Sequence, residues 1–327
     1  MKSKKNNIVI GIDTSCYTTS IAAISLNKEI ILNEKIMLKV DKNAKGLRQS
    51  EMVFQHVSNI GKISEFINDK FKDYNIVGIC ASKTPRPVKE SYMPVFTVGL
   101  NTAKLLSATH NCPIFETTHQ ENHIEASLLG TNLSNEDKFI AVHMSGGTLE
   151  IVLSNKNHTG YDLEIIGGTK DVSFGQLIDR LGVRLSYDFP CGKYIDKNAL
   201  EFEGVIEKGL KTSVKEGYMN LSGIENQLNK IIDSEESVDK NYISKLLMDT
   251  IVRCMLKALT YLCEKYDTHE VVFAGGVSAS KYISKSLTQK LRKYKIKAYF
   301  TEGDLATDNA VGCALIGVKN LNLGEQI

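Results

Sequence analysis

Two histidines stand four positions apart in Thr118-His119-Gln120-Glu121-Asn122-His123. On a helix, side chains four positions apart share one face, so two imidazoles spaced this way can chelate a single cation. Thr118 and Glu121 have the types and spacing of a capping box, which predicts a helix beginning at His119. With seven histidines in 327 residues, chance supplies only roughly 0.13 such pairs per chain, so the spacing carries information. The glutamate is third in the motif rather than second. That departs from the H-E-x-x-H of zinc peptidases and argues against peptide hydrolysis. Two imidazoles need a further donor. Asp308, within Thr307-Asp308-Asn309, is the leading choice, although an aspartate there could equally serve as a helix N-terminal charge. His143 is the alternative.

A second chemistry is suggested by three glycine-bearing turns, each expected just after a strand: Gly11-Ile12-Asp13-Thr14-Ser15, Ser145-Gly146-Gly147-Thr148 and Ala274-Gly275-Gly276-Val277-Ser278. Glycine permits positive φ and close backbone approach, so successive N–H groups can point at phosphate oxygens. One Gly-Gly after a strand is ordinary turn chemistry; three in such positions point to a nucleotide. None is a G-x-G-x-x-G or a G-x-x-x-x-G-K-[ST], which excludes the Rossmann and Walker readings.

The elements that must carry these residues read as two similar series. Strands are expected at Asn7–Ile12, Ser20–Leu26 and within Glu29–Val40, a helix at Gln49–Phe71, a strand at Ile76–Ala81, a helix at Pro94–Ala108 and a strand at Cys112–Thr117. The order then restarts with strands at Phe139–Met144, Leu149–Leu153 and Leu163–Ile166, followed by helices, the strand Glu270–Ala274 and another helix. The helical stretch over 174–265 ends in a helix with Ile243, Leu246, Leu247, Ile251, Cys254, Ala258 and Leu262 at core spacing. Polar residues between Ile232 and Asn241 read as a surface loop. The predicted organisation is therefore α/β with two lobes and a ligand between them: residues 1–117, residues 118–306, and a C-terminal helix within 307–327 packing back on the first lobe.

At 327 residues the chain is long enough for two cores. Hydrophobic residues make up 42% and charged ones 24%, an ordinary globular balance that excludes disordered and fibrous classes. A net charge of +2 means that any nucleic-acid binding must come from a local basic patch, not from a global field. No stretch approaches the length of a membrane span, and the basic leader Met-Lys-Ser-Lys-Lys runs straight into a strand. A cytoplasmic protein with no membrane association is expected. Seven scattered cysteines without a C-x-x-C pair predict buried thiols, not disulfides or a zinc knuckle.

Taken in order along nearly the whole chain, these segments resemble the tRNA threonylcarbamoyladenosine transferases (TsaD, Gcp or Kae-type proteins). Gly11-Ile-Asp-Thr-Ser-Cys16 resembles the family's G-I-E-T-S-C, His119-x-x-x-His123 its H-x-x-x-H, and Ser145-Gly146-Gly147 its S-G-G. Phe273-Ala-Gly-Gly-Val-Ser-Ala279 resembles A-G-G-V-S-A, Thr307-Asp308-Asn309 resembles T-D-N, and Phe189-Pro-Cys-Gly-Lys-Tyr-Ile-Asp196 is similar to Y-P-G-G-P-x-I-D. The resemblance implies an actin-like, sugar-kinase-like ATPase (ASKHA) fold. It also implies transfer of a threonylcarbamoyl group from an acyl-adenylate to a tRNA adenosine, with AMP released, and accessory proteins of that pathway as partners. By position, His119, His123 and Asp308 would bind a divalent metal, iron first, with zinc or magnesium as alternatives. Met144, Ser145, Gly146, Gly147 and Thr148 would surround the ATP-type nucleotide, AMP or acyl-adenylate. Asp179 and Asp196 would hold ribose or amine groups, Gly192 would allow close approach, and Gly275, Gly276 and Ser280 would complete the site. Tyr17 and Thr18 stand where the family carries two acidic residues, and Thr84-Pro85-Arg86-Pro87 stands where it has a glycine-proline-glycine segment. A nucleotide-binding scaffold, or a relative acting on another acceptor, would use the same turns.

Overall fold

Every position from Ile8 to Thr14 is buried, as a central strand covered on both faces must be. The structure is a computed structural model describing residues 6–40, 47–88, 90–157, 160–234, 236–301 and 303–324. The basic leader and the last three residues of the expected 307–327 segment lie outside the described residues.

The chain forms two compact units, Met1–Leu129 with Asn157–Tyr161 and Asp308–Ile327, and Gly130–Lys156 with Asp162–Thr307. The first contains β1 (Asn6–Thr14), β2 (Thr18–Ser25), β3 (Ile30–Met37), α1 (Gln49–Lys70), β4 (Tyr74–Thr84), α2 (Phe96–His110), β5 (Ile114–Thr118) and α3 (His119–Leu128). Its sheet has the order β3-β2-β1-β4-β5. The β1–β2 and β2–β3 pairs are antiparallel, and β4 and β5 add parallel to β1 and to each other.

The second unit contains β6 (Lys138–Met144), β7 (Leu149–Lys156), β8 (Tyr161–Thr169, its first residue grouped with the first unit), α4 (Phe174–Arg184) and α5 (Gly192–Glu201). It continues with β9 (Ser213–Lys215), β10 (Tyr218–Asn220), α6 (Ser222–Ser234), α7 (Lys240–Lys265), β11 (Glu270–Ala274), α8 (Lys281–Leu291) and β12 (Lys297–Phe300). In its sheet, β12-β11-β6-β7-β8-β10-β9, the run from β8 to β12 repeats the strand order of the first unit. There β6 and β7 are antiparallel while β11 and β12 add in parallel. The expected repetition of three strands, helix, strand, helix is thus the shared topology of two sheets.

Helix α9 (Val311–Gly324) belongs to the first unit and packs on β1, β2, β4 and α3. All residues from Val311 to Val318 are buried, and a helix that is apolar on every side must sit inside a core. Two glycines permit the approach. A Cβ on Gly11 would stand 2.6 Å from the backbone nitrogen of Ala314, and one on Gly312 would stand 2.7 Å from the carbonyl carbon of Asn122.

The structure amends several expectations. The first unit runs to Leu129 instead of ending at residue 117, because α3 packs on α9. The predicted loop at Ile232–Asn241 is shorter, since α6 continues to Ser234 and α7 starts at Lys240. Its polar residues are the exposed faces of two helix ends. Strands β9, β10 and β12, of three, three and four residues, are too short to show an alternating pattern. Helix α7 buries all seven of its predicted core residues. Five of the cysteines are buried, and Cys16 and Cys112 are intermediate. Among the described residues no helix is long and apolar enough to cross a membrane.

Candidate functional site

Helix α3 starts where its capping box requires. The Glu121 amide donates to Thr118 Oγ1 at 3.2 Å, and Glu121 Oε2 accepts from the Thr118 amide at 3.0 Å. With the start fixed, His119 and His123 lie one turn apart, and their Nε2 atoms are 3.1 Å from each other. Asp308 Oδ1 lies 3.2 Å from His123 Nε2 and 3.8 Å from His119 Nε2. Ligands held at 2.0–2.2 Å around one tetrahedral or octahedral ion stand about 2.8–3.6 Å apart. Two of the three separations fall in this range and the third, 3.8 Å, is slightly wider, so the three donors are grouped closely enough to hold one ion. His143 is not among them: it lies on β6 in the second unit, with its ring beside Gly275.

Residues of the first unit hold each donor in place. Asp13, fully buried at the end of β1, accepts from His119 Nδ1 at 3.0 Å and also from the Ser82 hydroxyl. This leaves Nε2 as the nitrogen directed at the other donors, the arrangement that orients a metal-bound histidine. The Ser15 hydroxyl donates to Asp308 Oδ2 at 2.9 Å. Ser15 is tied in turn by His56 of α1, whose Nε2 donates to the Ser15 carbonyl at 2.8 Å. Burial lowers the pKa of His56 despite that bond and the charge of Asp13, so His56 is a neutral, structural histidine.

The same network polarises the donors. Burial opposes the charge on His119, but the charge of Asp13, its hydrogen bond and the charge of Asp308 outweigh it and push the His119 pKa up to about 9. Burial likewise opposes ionisation of Asp308. The hydrogen bond from His123, the charges of both histidines and the Ser15 hydroxyl overcome it and hold this carboxyl well below the usual carboxylate range. Without a bound cation the two carboxylates thus favour a protonated His119.

Asp308 reaches the histidines from 185 positions further along the chain because of Asn122, which is fully buried. Asn122 Nδ2 donates to the Asn309 carbonyl at 2.6 Å, and its Oδ1 accepts from the Cys313 amide at 2.8 Å. This side chain fastens the segment after Asp308 to α3 between the two histidines. Asn122→Ala removes both bonds from buried backbone groups, a loss of about 1–3 kcal/mol. It should also weaken metal binding about 10-fold or more through the displaced carboxylate. Urea denaturation with and without chelator, together with metal titration, measures the two effects separately.

Of the three glycine segments, only two are open. Gly11 lies inside β1 with α9 packed over its Cα, so its glycine serves helix packing and no phosphate fits there. The contribution of that segment is instead Asp13 and Ser15. No local signal in the sequence marks these two residues as supports of the histidines and Asp308, because the pairing is made across sheet and helix. Tyr17, on the same turn, is 43% exposed, whereas Thr18 is 5% exposed at the start of β2. An acidic residue could therefore stand at 17 but would be buried at 18. Pro85 supports α3, its carbonyl accepting from the Gln120 amide at 3.0 Å.

In the second unit the Ser145–Thr148 turn joins β6 to β7. It is closed by Ser145 N to Thr148 O at 2.9 Å and Thr148 N to Ser145 Oγ at 3.1 Å. Helix α4 abuts it: a Cβ on Gly175 would stand 2.5 Å from Gly146 Cα, and the Ser173 hydroxyl donates to the Gly146 carbonyl at 2.8 Å. Gly275, at φ +94°, lets the β11 turn pass against Met144, whose carbonyl accepts from Val277 N at 3.0 Å. Met144 itself is fully buried. Gly146, Gly147, Gly192 and Gly276 have nothing within 4 Å of where a Cβ would stand. They leave open space along backbone that a ligand can approach. Asp179 accepts from the Cys191 amide at 2.8 Å beside Gly192. Asp196 caps α8, accepting from the Ser280 hydroxyl and from the amides of Lys281 and Tyr282.

Two α/β units with the same strand order, one carrying open glycine turns, define the class of actin-like, sugar-kinase-like ATPase folds. Solved structures of this architecture align with nearly the whole chain. They include HypF from T. kodakarensis (TM-score 0.62, 12% identity, 98% of this chain and 48% of that one) and component A of (R)-2-hydroxyglutaryl-CoA dehydratase from Acidaminococcus fermentans (TM-score 0.55, 13% identity, 96% and 99%). This chain spans about half the length of HypF. Residues 91–315 match the model of the tRNA N6-adenosine threonylcarbamoyltransferase family, TsaD, and the chain belongs to that family. Proteins of this name from Neorickettsia sennetsu and Listeria welshimeri are each 26% identical to it, over 98% and 99% of this chain and 95% and 94% of theirs.

Proposed function

We propose that this chain transfers a threonylcarbamoyl group from threonylcarbamoyl-adenylate to the N6 amine of a tRNA adenosine, using a divalent cation held by His119, His123 and Asp308. The observation that carries this reading is the convergence of two imidazoles and one carboxylate in a member of this family. In the reaction the adenosine nitrogen bonds to the carbamoyl carbon and loses a proton, and the bond from that carbon to the phosphate oxygen breaks as AMP leaves. The cation would supply Lewis-acid stabilisation of negative charge developing on oxygen. Two histidines with one carboxylate and open positions suit ferrous iron, and imidazole ligands disfavour magnesium. Asp13 keeps His119 Nε2 directed at the site, Ser15 aims Asp308, and the turns at Ser145–Thr148 and Gly275–Gly276 offer N–H groups to the phosphate. Asp179, Asp196, Gly192 and Ser280 line the approach to the adenylate. On this reading the protein works in the cytoplasm with accessory proteins of the same pathway.

Purified protein loaded with ferrous iron and given threonylcarbamoyl-adenylate, tRNA and the accessory proteins should yield modified adenosine and AMP in equal amounts. Failure of both products to appear would remove the transferase reading. Gly276→Val supplies the matched test of the ligand site. The position has room for the side chain in the folded protein, so stability should change little while adenylate affinity falls about 10-fold or more, because the branched Cβ occupies the space the ligand needs. Unchanged affinity by calorimetry would exclude this turn.

A further inference from the structure

Residues 281–297 hold six lysines, one arginine and no aspartate or glutamate, in a chain whose net charge is only +2. The segment is α8, the turn after it and the edge strand β12. Lys281, Lys285 and Arg292 follow a spacing of four and seven, which places them along one helical face over about 16 Å. They are exposed, as are Lys293 and Lys295 in the turn. Glu270 pairs with Lys297 at 2.7 Å, but the other six cations, half-buried Lys290 among them, have no acidic partner within 4.0 Å among the described residues. Tyr294, 54% exposed, stands between two of them. The buried face of α8 accounts for Ile283, Leu287 and Leu291 and does not require the charges opposite.

The position of this stripe gives it a direction. Helix α8 is capped by Ser280, four residues after Gly276, so the cations start beside the proposed adenylate site and lead away from it within one unit. We infer that the outer face of α8 and the following turn is a docking surface for the phosphate backbone of the tRNA acceptor, outside the nucleotides that react. A row of unpaired, flexible cations with one exposed aromatic matches a polyanion whose charges are evenly spaced, and it needs no base-specific contacts. This surface supplies the local patch that the near-neutral net charge demands of a nucleic-acid-binding chain. The inference rests on tRNA being the acceptor.

The test compares the unsubstituted protein with a Lys285→Ala, Arg292→Ala, Lys293→Ala variant, all three at exposed positions. Fluorescence anisotropy with labelled tRNA is run over a salt series, alongside AMP binding and metal content. The expected result is weaker tRNA binding, with the slope of log K against log salt shallower by about two to three, while AMP and metal binding are unchanged. Equal affinity and slope for the two proteins would overturn the docking surface and leave the acceptor reading standing. Absence of tRNA binding by the unsubstituted protein would overturn both. A third arm uses phosphatidylserine-containing vesicles. Vesicle binding lost in the variant, with tRNA binding intact, would assign the face to a lipid surface and overturn the proposal.

Discussion

His123→Ala protein should emerge from desalting without its cation and should transfer threonylcarbamoyl at a rate reduced about 100-fold or more. One of three donors is lost, and loss of outer supporting groups alone typically costs 10–100-fold in affinity or activity. His123 is 3% exposed and its ring packs edge-on against His119 with centroids 4.4 Å apart, so a fold control is needed. His123→Gln keeps much of the volume and a polar terminus. It should restore the melting temperature measured in chelator without restoring metal content. Proton linkage gives the same site a second readout. With His119 raised to about 9 by Asp13, the chelated protein carries a proton there at pH 7, and binding a cation must displace it. Apparent metal affinity should therefore rise with pH up to about 9. Stability of the chelated protein should move the other way. A histidine whose pKa is raised on folding contributes fully below its unfolded value, near 6.5, and the contribution disappears as pH rises through about 9. Asp13→Asn should flatten both trends. Metal affinity that stays flat between pH 6.5 and 9 in the unsubstituted protein would refute the His119–Asp13 assignment.

Gly312→Ala should destabilise the protein by about 3 kcal/mol, a large effect for a single added methyl group. The new Cβ would fall against the Asn122 carbonyl and 2.8 Å from its side-chain oxygen. Both contacts lie in the seam between α3 and α9, where neither helix can yield without disturbing the Asn122 bonds to Asn309 and Cys313. The substitution therefore reaches the metal donors as well, and metal affinity should fall together with the urea midpoint. Gly61→Ala provides a control of opposite sign. Gly61 lies in the interior of α1 with nothing within 4 Å of its Cβ position, so alanine there should stabilise by about 0.5–1 kcal/mol through helix propensity. A Gly312→Ala midpoint equal to that of the parent would mean that the seam is looser than these contacts require.

The parts of this protein that depend on neighbours in sequence were legible without coordinates. Thr118 and Glu121 announced the start of α3, which set the phase of His119 and His123. The period of Ile243 to Leu262 announced a buried helix, and the β-branched runs announced the central strands, because caps and hydrophobic periods act over one or two turns of chain. What depends on distant residues was not legible. Asp13 is a buried aspartate in a strand-end segment that reads as a phosphate turn, and its role exists only because β1 ends beside the first turn of α3. Gly11 reads as a ligand-binding glycine, yet the apolar helix α9 occupies its open side. The division at Leu129 followed from α3 packing on α9, a contact made by segments almost two hundred residues apart. Asp308 could be named from its motif, but its delivery to the histidines is the work of Asn122. That pairing is a tertiary one: two hydrogen bonds to a backbone segment whose approach no local propensity specifies, made possible by a glycine at 312 that leaves room for the two helices to meet.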